Sequence, residues 1–138
     1  MYYLKTEQSF DSAHFLHGYH GKCANIHGHR WKVVTTIKSE KLLNDPQNMS
    51  MVIDFGDLKA DLKVITDSLD HALIIEDGSL SKGLYQALIE DNFKVINFPF
   101  RPTAENLAKY IFDILNKKYD VDCVDVYETP NNCASYRG

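Results

Sequence analysis

The chain has 138 residues, of which 44% are hydrophobic and 25% are charged, and its formal net charge is -4. These are ordinary globular values, which exclude a wholly disordered chain, and the negative charge gives no electrostatic basis for binding nucleic acid. A chain of this length buries roughly two-thirds of the surface that its unfolded form exposes. We therefore predict one domain, residues 1–138, with no nucleic-acid partner.

The start of the chain and its cysteines indicate the compartment. The first residues lack the charged start and apolar run of a signal peptide, and no apolar stretch approaches the ~20 residues that span a bilayer. We expect a cytoplasmic protein with no membrane partner. Cys23, Cys123 and Cys133 cannot all pair within one chain, and a cytosol keeps thiols reduced. Free thiols are therefore expected.

Two alternating segments near the start predict a pair of antiparallel strands. Residues 2–10 alternate loosely and residues 27–38 alternate more strictly, with a polar loop, residues 17–24, between them. One face of the second segment carries His27, His29, Trp31, Val33, Thr35 and Ile37. This face is expected to point into the protein.

From Asp57 the spacing of apolar residues becomes helical. The stripe consists of Leu58, Leu62, Ile65 and Leu69. Asp54 or Asp57 can cap the start of this helix. The helix is predicted to end near Leu69, so that Asp70 and His71 follow its C-terminus.

The following region predicts a short helix over residues 80–89 and a short extended run over residues 94–100. Thr103 stands directly after Pro102, where a helix N-cap belongs. The apolar spacing that follows, up to Leu115, predicts the second main helix.

Two strands around a turn are predicted to close the chain, over residues 121–129 and 133–137. The main elements then run strand, strand, helix, helix, strand, strand. We predict an α+β fold in which an antiparallel four-stranded sheet carries two main helices on one face.

Three histidines point to a metal site. His27 and His29 are two residues apart on a predicted strand, so their imidazoles project to the same face, roughly 6–7 Å apart along the chain. His14 ends the neighbouring strand and is well placed to complete the set. Three imidazoles with an open fourth position describe a catalytic zinc. His17 and His20 lie in a glycine-rich loop and are predicted to be surface or substrate-side residues.

Cys23 lies close to these histidines in sequence, and two interpretations of it remain open. As a fourth ligand it would close the site and make the metal structural. As a free thiol beside a dication, which favours the thiolate, it would be a base or a nucleophile. Spacing does not separate the two.

Acidic residues further along the chain differ in what they indicate. Asp70 and His71 are adjacent, and adjacent side chains need not face each other. Glu128 lies on the same strand face as the two valines before it, where a carboxylate is costly without a cation or a bidentate donor. Glu105, in the first turn of a helix, is explained by the helix dipole.

Six short motifs in order resemble the 6-pyruvoyl-tetrahydropterin synthase superfamily. They are F-x-x-A-H at 10–14, C-x-x-x-H-G-H at 23–29, I-D-F-x-x-L-K at 53–59, L-D-H at 69–71, P-T-x-E-N at 102–106, and Y-E-T with a final Y-R-G at 127–138. Within the superfamily the chain is most similar to the bacterial branch that forms 6-carboxy-5,6,7,8-tetrahydropterin for queuosine biosynthesis. The resemblance implies the family's tunnelling fold.

The resemblance also implies roles for residues of the metal site. It implies that His14, His27 and His29 hold a zinc ion. The position of Cys23 is the catalytic base, which is assisted by His71 with Asp70 beside it.

Substrate contacts follow from the same resemblance. The position of Glu128 anchors the pterin through its guanidine-like edge, and Thr103 and Glu105 lie near the pocket. No residue stands out as the triphosphate binder, and the candidates by charge are Lys22, Arg30 and Arg137.

The implied reaction converts 7,8-dihydroneopterin triphosphate to 6-carboxy-5,6,7,8-tetrahydropterin, with release of acetaldehyde and triphosphate. The implied assembly is a homohexamer, in which two trimeric barrels stack and the sites lie between subunits. Two alternatives remain. The reaction can stop at 6-pyruvoyl-tetrahydropterin after triphosphate elimination, or the chain can be a non-catalytic zinc- or pterin-binding protein.

Overall fold

The computed structural model describes residues 1–138 and contains a six-stranded sheet and three α-helices. The strands are β1 (Tyr2–His14), β2 (His27–Ser39), β3 (Ala72–Glu76), β4 (Val95–Phe98), β5 (Val121–Thr129) and β6 (Asn132–Tyr136). The helices are α1 (Phe55–Leu69), α2 (Lys82–Glu90) and α3 (Ala104–Leu115), and a short 3-10 turn spans Lys22–Ala24. No helix is long and apolar enough to cross a membrane.

The sheet is mixed, with the strand order β4-β3-β1-β2-β5-β6. The four predicted strands, β1, β2, β5 and β6, pair with one another in antiparallel fashion. The prediction of a four-stranded, purely antiparallel sheet is wrong, because β3 pairs parallel to β1 and β4 pairs parallel to β3. Each of these strands follows a helix, which supplies the crossover that parallel pairing needs.

Local signals explain why the sequence prediction missed β3. This strand has only five residues, A-L-I-I-E, and begins three residues after the end of α1. A short apolar run of this kind is compatible with either a strand or a buried helix segment. The pairing with β1, which lies about sixty residues earlier in the chain, decides the outcome. The short helix predicted over residues 80–89 is confirmed as α2, which spans Lys82–Glu90 in addition to the two main helices.

The predicted helix starts are confirmed. The Asp54 side chain accepts a hydrogen bond from the Gly56 backbone N–H at 2.7 Å, which caps α1. The Thr103 hydroxyl accepts one from the Asn106 N–H at 3.3 Å, which caps α3. The Thr103 cap fixes where α3 begins, immediately after Pro102.

The hydrophobic core lies between the sheet and helices α1 and α3. The predicted stripe of α1 is buried, and so is the face of β2 that begins at Trp31. Helix α2 contributes no buried residue. The core therefore holds the central strands β1 and β2 in place. The candidate site lies where β1 ends and β2 begins.

Leu62 provides a test of this core. Its side chain is fully buried, whereas Val64 on the same helix is 70% exposed. We expect Leu62→Ala to lower the free energy of unfolding by about 2–5 kcal/mol, because it leaves a cavity between α1 and the sheet. We expect the matched change Val64→Ala to stay within about 0.5 kcal/mol. Urea unfolding followed by circular dichroism measures both, and equal losses would contradict this assignment of the core.

Candidate metal and substrate site

Three imidazoles converge where β1 ends and β2 begins. His14 pairs directly with His27 across the two strands, and His29 lies two residues further on the same face of β2. The ring centroids are 4.6 Å apart for His14 and His27, 4.8 Å for His27 and His29, and 5.2 Å for His14 and His29. The three histidines that the sequence singled out thus lie together.

Backbone carbonyls orient two of these rings. His14 Nδ1 lies 2.8 Å from the carbonyl oxygen of Pro102, and His27 Nδ1 lies 2.7 Å from that of Asn25. When Nδ1–H donates to a carbonyl, the lone pair of Nε2 is left to bind a metal. Burial lowers the pKa of His14, which favours the neutral imidazole that ligates metals.

The Nε2 atoms of these three histidines are buried and have no hydrogen-bond partner. A buried polar atom without a partner is costly, and it calls for an ion or another group. A metal ion satisfies all three nitrogens at once. The residues present therefore fit the zinc ion that the motifs imply.

The indole of Trp31 packs against the imidazoles of His14 and His29. Its ring meets those of His14 and His29 edge to face, with centroids 4.9 Å and 5.4 Å away, and it is completely buried. The ring of Phe10 stacks on this indole, with the two centroids 5.9 Å apart. The core of the protein thus supports the candidate ligands directly, although the sequence analysis gave Trp31 only a place on the buried face.

Glu128 joins the histidines from β5. Its Oε1 lies 2.7 Å from His29 Nε2, without the angle of a good hydrogen bond, and 3.3 Å from His14 Nε2. One donor atom from each of Glu128, His14, His27 and His29 lies within 4.8 Å of the others, a group that can hold a metal ion. The sequence analysis expected a partner for this carboxylate, but it did not expect the imidazoles.

The Asp70 and His71 side chains face each other, with Asp70 Oδ2 2.8 Å from His71 Nδ1. Residue Asp11 of β1 fixes both: its N–H donates to Asp70 Oδ1 at 2.8 Å, and its carbonyl accepts from the His71 N–H at 2.6 Å. The Asp11 N–H, with a further contribution from His71, lowers the pKa of Asp70 below its usual value. His71 is 81% exposed, so its ring is available to a bound molecule.

Two clefts meet at His29. The first has a volume of about 680 Å³ and is lined by His29, Arg30, His71 and Lys94 together with an apolar wall that includes Phe93. The second is smaller, about 410 Å³, and is lined mainly by polar and charged residues, so we call it the polar cleft. Its lining includes Ser9, His29, Arg30, Lys32, Tyr127 and Glu128. The imidazole cluster thus borders one cleft that contains the His71 side chain and another that contains Glu128.

Cys23 lies in the 3-10 turn between β1 and β2, and its carbonyl accepts a hydrogen bond from the Leu16 N–H at 2.8 Å. Its side chain is partly buried and forms no disulfide. Its sulfur is not part of the group of metal-binding donor atoms, in which Glu128 supplies the fourth. This arrangement gives no support to a closed site of three histidines and Cys23.

The other predicted substrate residues lie at varying distances from the clefts. Thr103 caps α3 beside Pro102, and neither Thr103 nor Glu105 lines the two clefts, so their substrate contacts stay predictions. Arg30 lines both clefts and pairs with Asp11 at 3.0 Å. The two other cations that were candidates by charge, Lys22 and Arg137, line neither cleft.

Sequence reasoning missed several residues that position the site. The carbonyl of Pro102 holds His14, and that of Asn25 holds His27. Lys94 donates to the carbonyls of Asp67 and Asp70 at 3.0 and 2.9 Å, which ties β4 to the end of α1 next to His71. A backbone carbonyl carries no side-chain signal. The P-T-x-E-N motif was the one available sign that the region before α3 matters.

Comparison with known proteins identifies the family. A family model described as 6-pyruvoyl tetrahydropterin synthase matches residues 3–138. The chain belongs to this family of pterin synthases. A Haemophilus influenzae relative named 6-carboxy-5,6,7,8-tetrahydropterin synthase is 37% identical over 141 residues, which cover 99% of both chains. A Rickettsia bellii relative of the same name is 34% identical over 131 residues, which cover 88% of this chain and 90% of the relative.

Solved structures give the same fold. The 6-pyruvoyl tetrahydropterin synthase of Caenorhabditis elegans superposes with a TM-score of 0.71 at 25% identity, covering 99% of this chain and 95% of that one. An uncharacterized protein from Wolinella succinogenes gives a TM-score of 0.82 at 21% identity and covers 99% and 98% of the two chains. The family fold is therefore confirmed, with the mixed six-stranded sheet described above.

Proposed function

We propose that this protein is a zinc-dependent lyase that converts 7,8-dihydroneopterin triphosphate and one water molecule to 6-carboxy-5,6,7,8-tetrahydropterin, acetaldehyde and triphosphate, in queuosine biosynthesis. The relatives named 6-carboxy-5,6,7,8-tetrahydropterin synthase support this choice, since one of them aligns over 99% of both chains. The observation that carries it is the convergence of three unpartnered imidazole nitrogens beside a polar cleft. We further propose that residues 1–138 act as one cytoplasmic domain within a homohexamer of two stacked trimers.

The proposed metal ligands are His14, His27 and His29. Zinc held there supplies Lewis-acid polarisation to the side-chain oxygens of the substrate. The protein contributes the orientation of the ligands, through the carbonyls of Pro102 and Asn25 and the buried indole of Trp31.

We assign proton transfer to Cys23, His71 and Asp70. The Cys23 thiolate removes the proton from the substrate side-chain carbon, and His71 moves it onward. Asp70 accepts from His71 Nδ1, which leaves Nε2 of that ring to exchange a proton with the substrate. The exposure of the His71 ring to the cleft it shares with His29 supports this role. The pterin ring of the substrate gains the two electrons that the substrate's own side chain loses, so the reaction needs no nicotinamide.

We assign recognition of the pterin ring to Glu128. A carboxylate matches two adjacent N–H groups of the guanidine-like edge of a pterin. The position of Glu128 on the wall of the polar cleft, next to His29, supports this assignment. Thr103 and Glu105 are proposed to lie near the bound ring, and Arg30, which lines both clefts, is proposed to meet the triphosphate.

Product identification tests the proposal. Zinc-loaded protein is incubated with 7,8-dihydroneopterin triphosphate, the pterin is identified by mass, and acetaldehyde is assayed separately. We expect the 6-carboxy product with acetaldehyde and free triphosphate, and none of the three after the protein is stripped of zinc. Detection of the 6-pyruvoyl product without acetaldehyde would overturn the choice of reaction.

Two alternatives have distinct outcomes in the same experiment. The 6-pyruvoyl reaction is favoured by the family description and by the Caenorhabditis elegans structure. A non-catalytic protein with a structural zinc would yield no product, and removal of the metal would unfold it. We expect circular dichroism of the zinc-free protein to show a folded chain, because the core between the sheet, α1 and α3 consists of apolar side chains and includes none of the histidines.

A further inference from the structure

The Glu128 carboxylate lies beside both the proposed metal site and the proposed pterin site. Its Oε1 lies 2.7 Å from His29 Nε2 and 3.3 Å from His14 Nε2, which places it within the imidazole cluster. The same side chain lines the polar cleft in which the proposed function puts the pterin ring. A carboxylate with one oxygen bound to a metal cannot offer both oxygens to the two adjacent N–H groups of the pterin edge.

The donor geometry suits a metal site with four protein ligands. Donors about 2.0–2.1 Å from one zinc ion at the corners of a tetrahedron lie about 3.3 Å from each other. Glu128 Oε1 lies 3.3 Å from His14 Nε2 and closer, 2.7 Å, to His29 Nε2, and the four donor atoms all lie within 4.8 Å of one another, so small shifts of these side chains suffice for one ion to bind all four. A carboxylate also offsets part of the charge of a dication that three neutral imidazoles leave uncompensated in a partly buried site.

The strand that carries Glu128 is irregular at that residue. The pairing of β5 with β6 shifts register between Tyr127 and Thr129, so Glu128 has no direct partner on β6. A bulge of this kind re-aims a side chain and frees it from the pairing of the sheet. Glu128 is 30% exposed, whereas His14 is 1% exposed, so the carboxylate is the donor of the group with room to move.

We propose that Glu128 is the fourth ligand of the metal in the absence of substrate, and that a pterin ring takes this carboxylate from the metal when it binds. This inference rests on the proposed function for the identity of the ring. When the pterin binds, Glu128 leaves the metal. A coordination position on the metal therefore becomes free only when the pterin, which carries the reacting side chain, is bound. Because the two binding events share one carboxylate, each weakens the other by the same factor.

Metal affinity measured by competition with a chromophoric chelator tests the exchange without turnover. The probes are Zn²⁺, Co²⁺ and 6-methylpterin, whose side chain has no oxygen that could replace the lost ligand. We expect Glu128→Gln to weaken metal binding at least about ten-fold and to change the visible spectrum of bound Co²⁺. The matched control Glu40→Gln removes an exposed carboxylate just beyond the far end of β2 and should change neither.

We expect saturating 6-methylpterin to weaken Co²⁺ binding and to shift the Co²⁺ spectrum in the unmodified protein and in Glu40→Gln. In Glu128→Gln we expect 6-methylpterin to change neither Co²⁺ binding nor the Co²⁺ spectrum. Any change seen in this variant measures direct chelation of the metal by 6-methylpterin. Circular dichroism establishes that the variant is folded, and Glu128→Ala serves as a second variant.

The outcomes separate this inference from the proposed function. Unchanged metal affinity and an unchanged Co²⁺ spectrum in folded Glu128→Gln and Glu128→Ala would overturn Glu128 as a ligand. Binding of 6-methylpterin with no effect on Co²⁺ would overturn the exchange alone. Failure of 6-methylpterin to bind at all would overturn the pterin site together with the exchange, while the affinity of the variants still decides whether Glu128 binds the metal.

Discussion

Replacing Cys23 with alanine is expected to reduce turnover of 7,8-dihydroneopterin triphosphate by about 10²- to 10⁴-fold, the usual contribution of a general base. We expect the bound zinc to remain, because the Cys23 sulfur is not part of the group of metal-binding donors. Single-turnover kinetics and metal analysis of the same preparation measure the two effects. The combination of lost activity and retained zinc distinguishes a base from a ligand.

Cys133 offers a matched control for this change. It is an exposed thiol on β6, whereas Cys23 is partly buried in the turn between β1 and β2. Cys133→Ala should keep both activity and zinc. Loss of zinc in Cys23→Ala would instead make Cys23 a ligand, which would contradict its assignment as the base.

Replacing His14 with alanine is expected to have the largest effect on the metal. His14 is 1% exposed, and its Nε2 is buried without a hydrogen-bond partner. Loss of an outer hydrogen-bond partner of a ligand costs about ten- to a hundred-fold in metal affinity, so removal of the ligand should cost more than this. Competition with a chelator measures the affinity, and we expect activity to fall with metal content.

Two exposed histidines in the loop after β1 serve as controls for His14. His17 and His20 are solvent-exposed and do not belong to the metal-binding group. His20→Ala should leave metal affinity unchanged. If His14→Ala retained the affinity of the unmodified protein, the three-histidine site would be wrong.

The parts of the site that the sequence predicted correctly depend on local periodicity. His27 and His29 share a face because side chains alternate along a strand, and Asp54 and Thr103 cap helices because their side chains reach nearby N–H groups. Contacts of this kind join residues only a few positions apart. Composition and spacing are sufficient to predict them.

The parallel strands show where such reasoning fails. The residues of β3 are a short apolar run, and nothing within it specifies that it pairs with β1 rather than packing as part of a helix. This pairing determines more than the topology. It brings Asp11 of β1 against Asp70 and His71, which converts two adjacent polar residues into an oriented pair.

The sequence by itself determined that three of the six histidines have the spacing of metal ligands near Cys23, and that the chain carries the motifs of a pterin synthase family. Only the tertiary structure decided that Pro102 orients His14, 88 residues away in sequence, and that Glu128 meets the same imidazoles. The physical reason is that spacing specifies the direction of side chains within one element. The distance between two elements depends on the packing of the whole sheet and its helices.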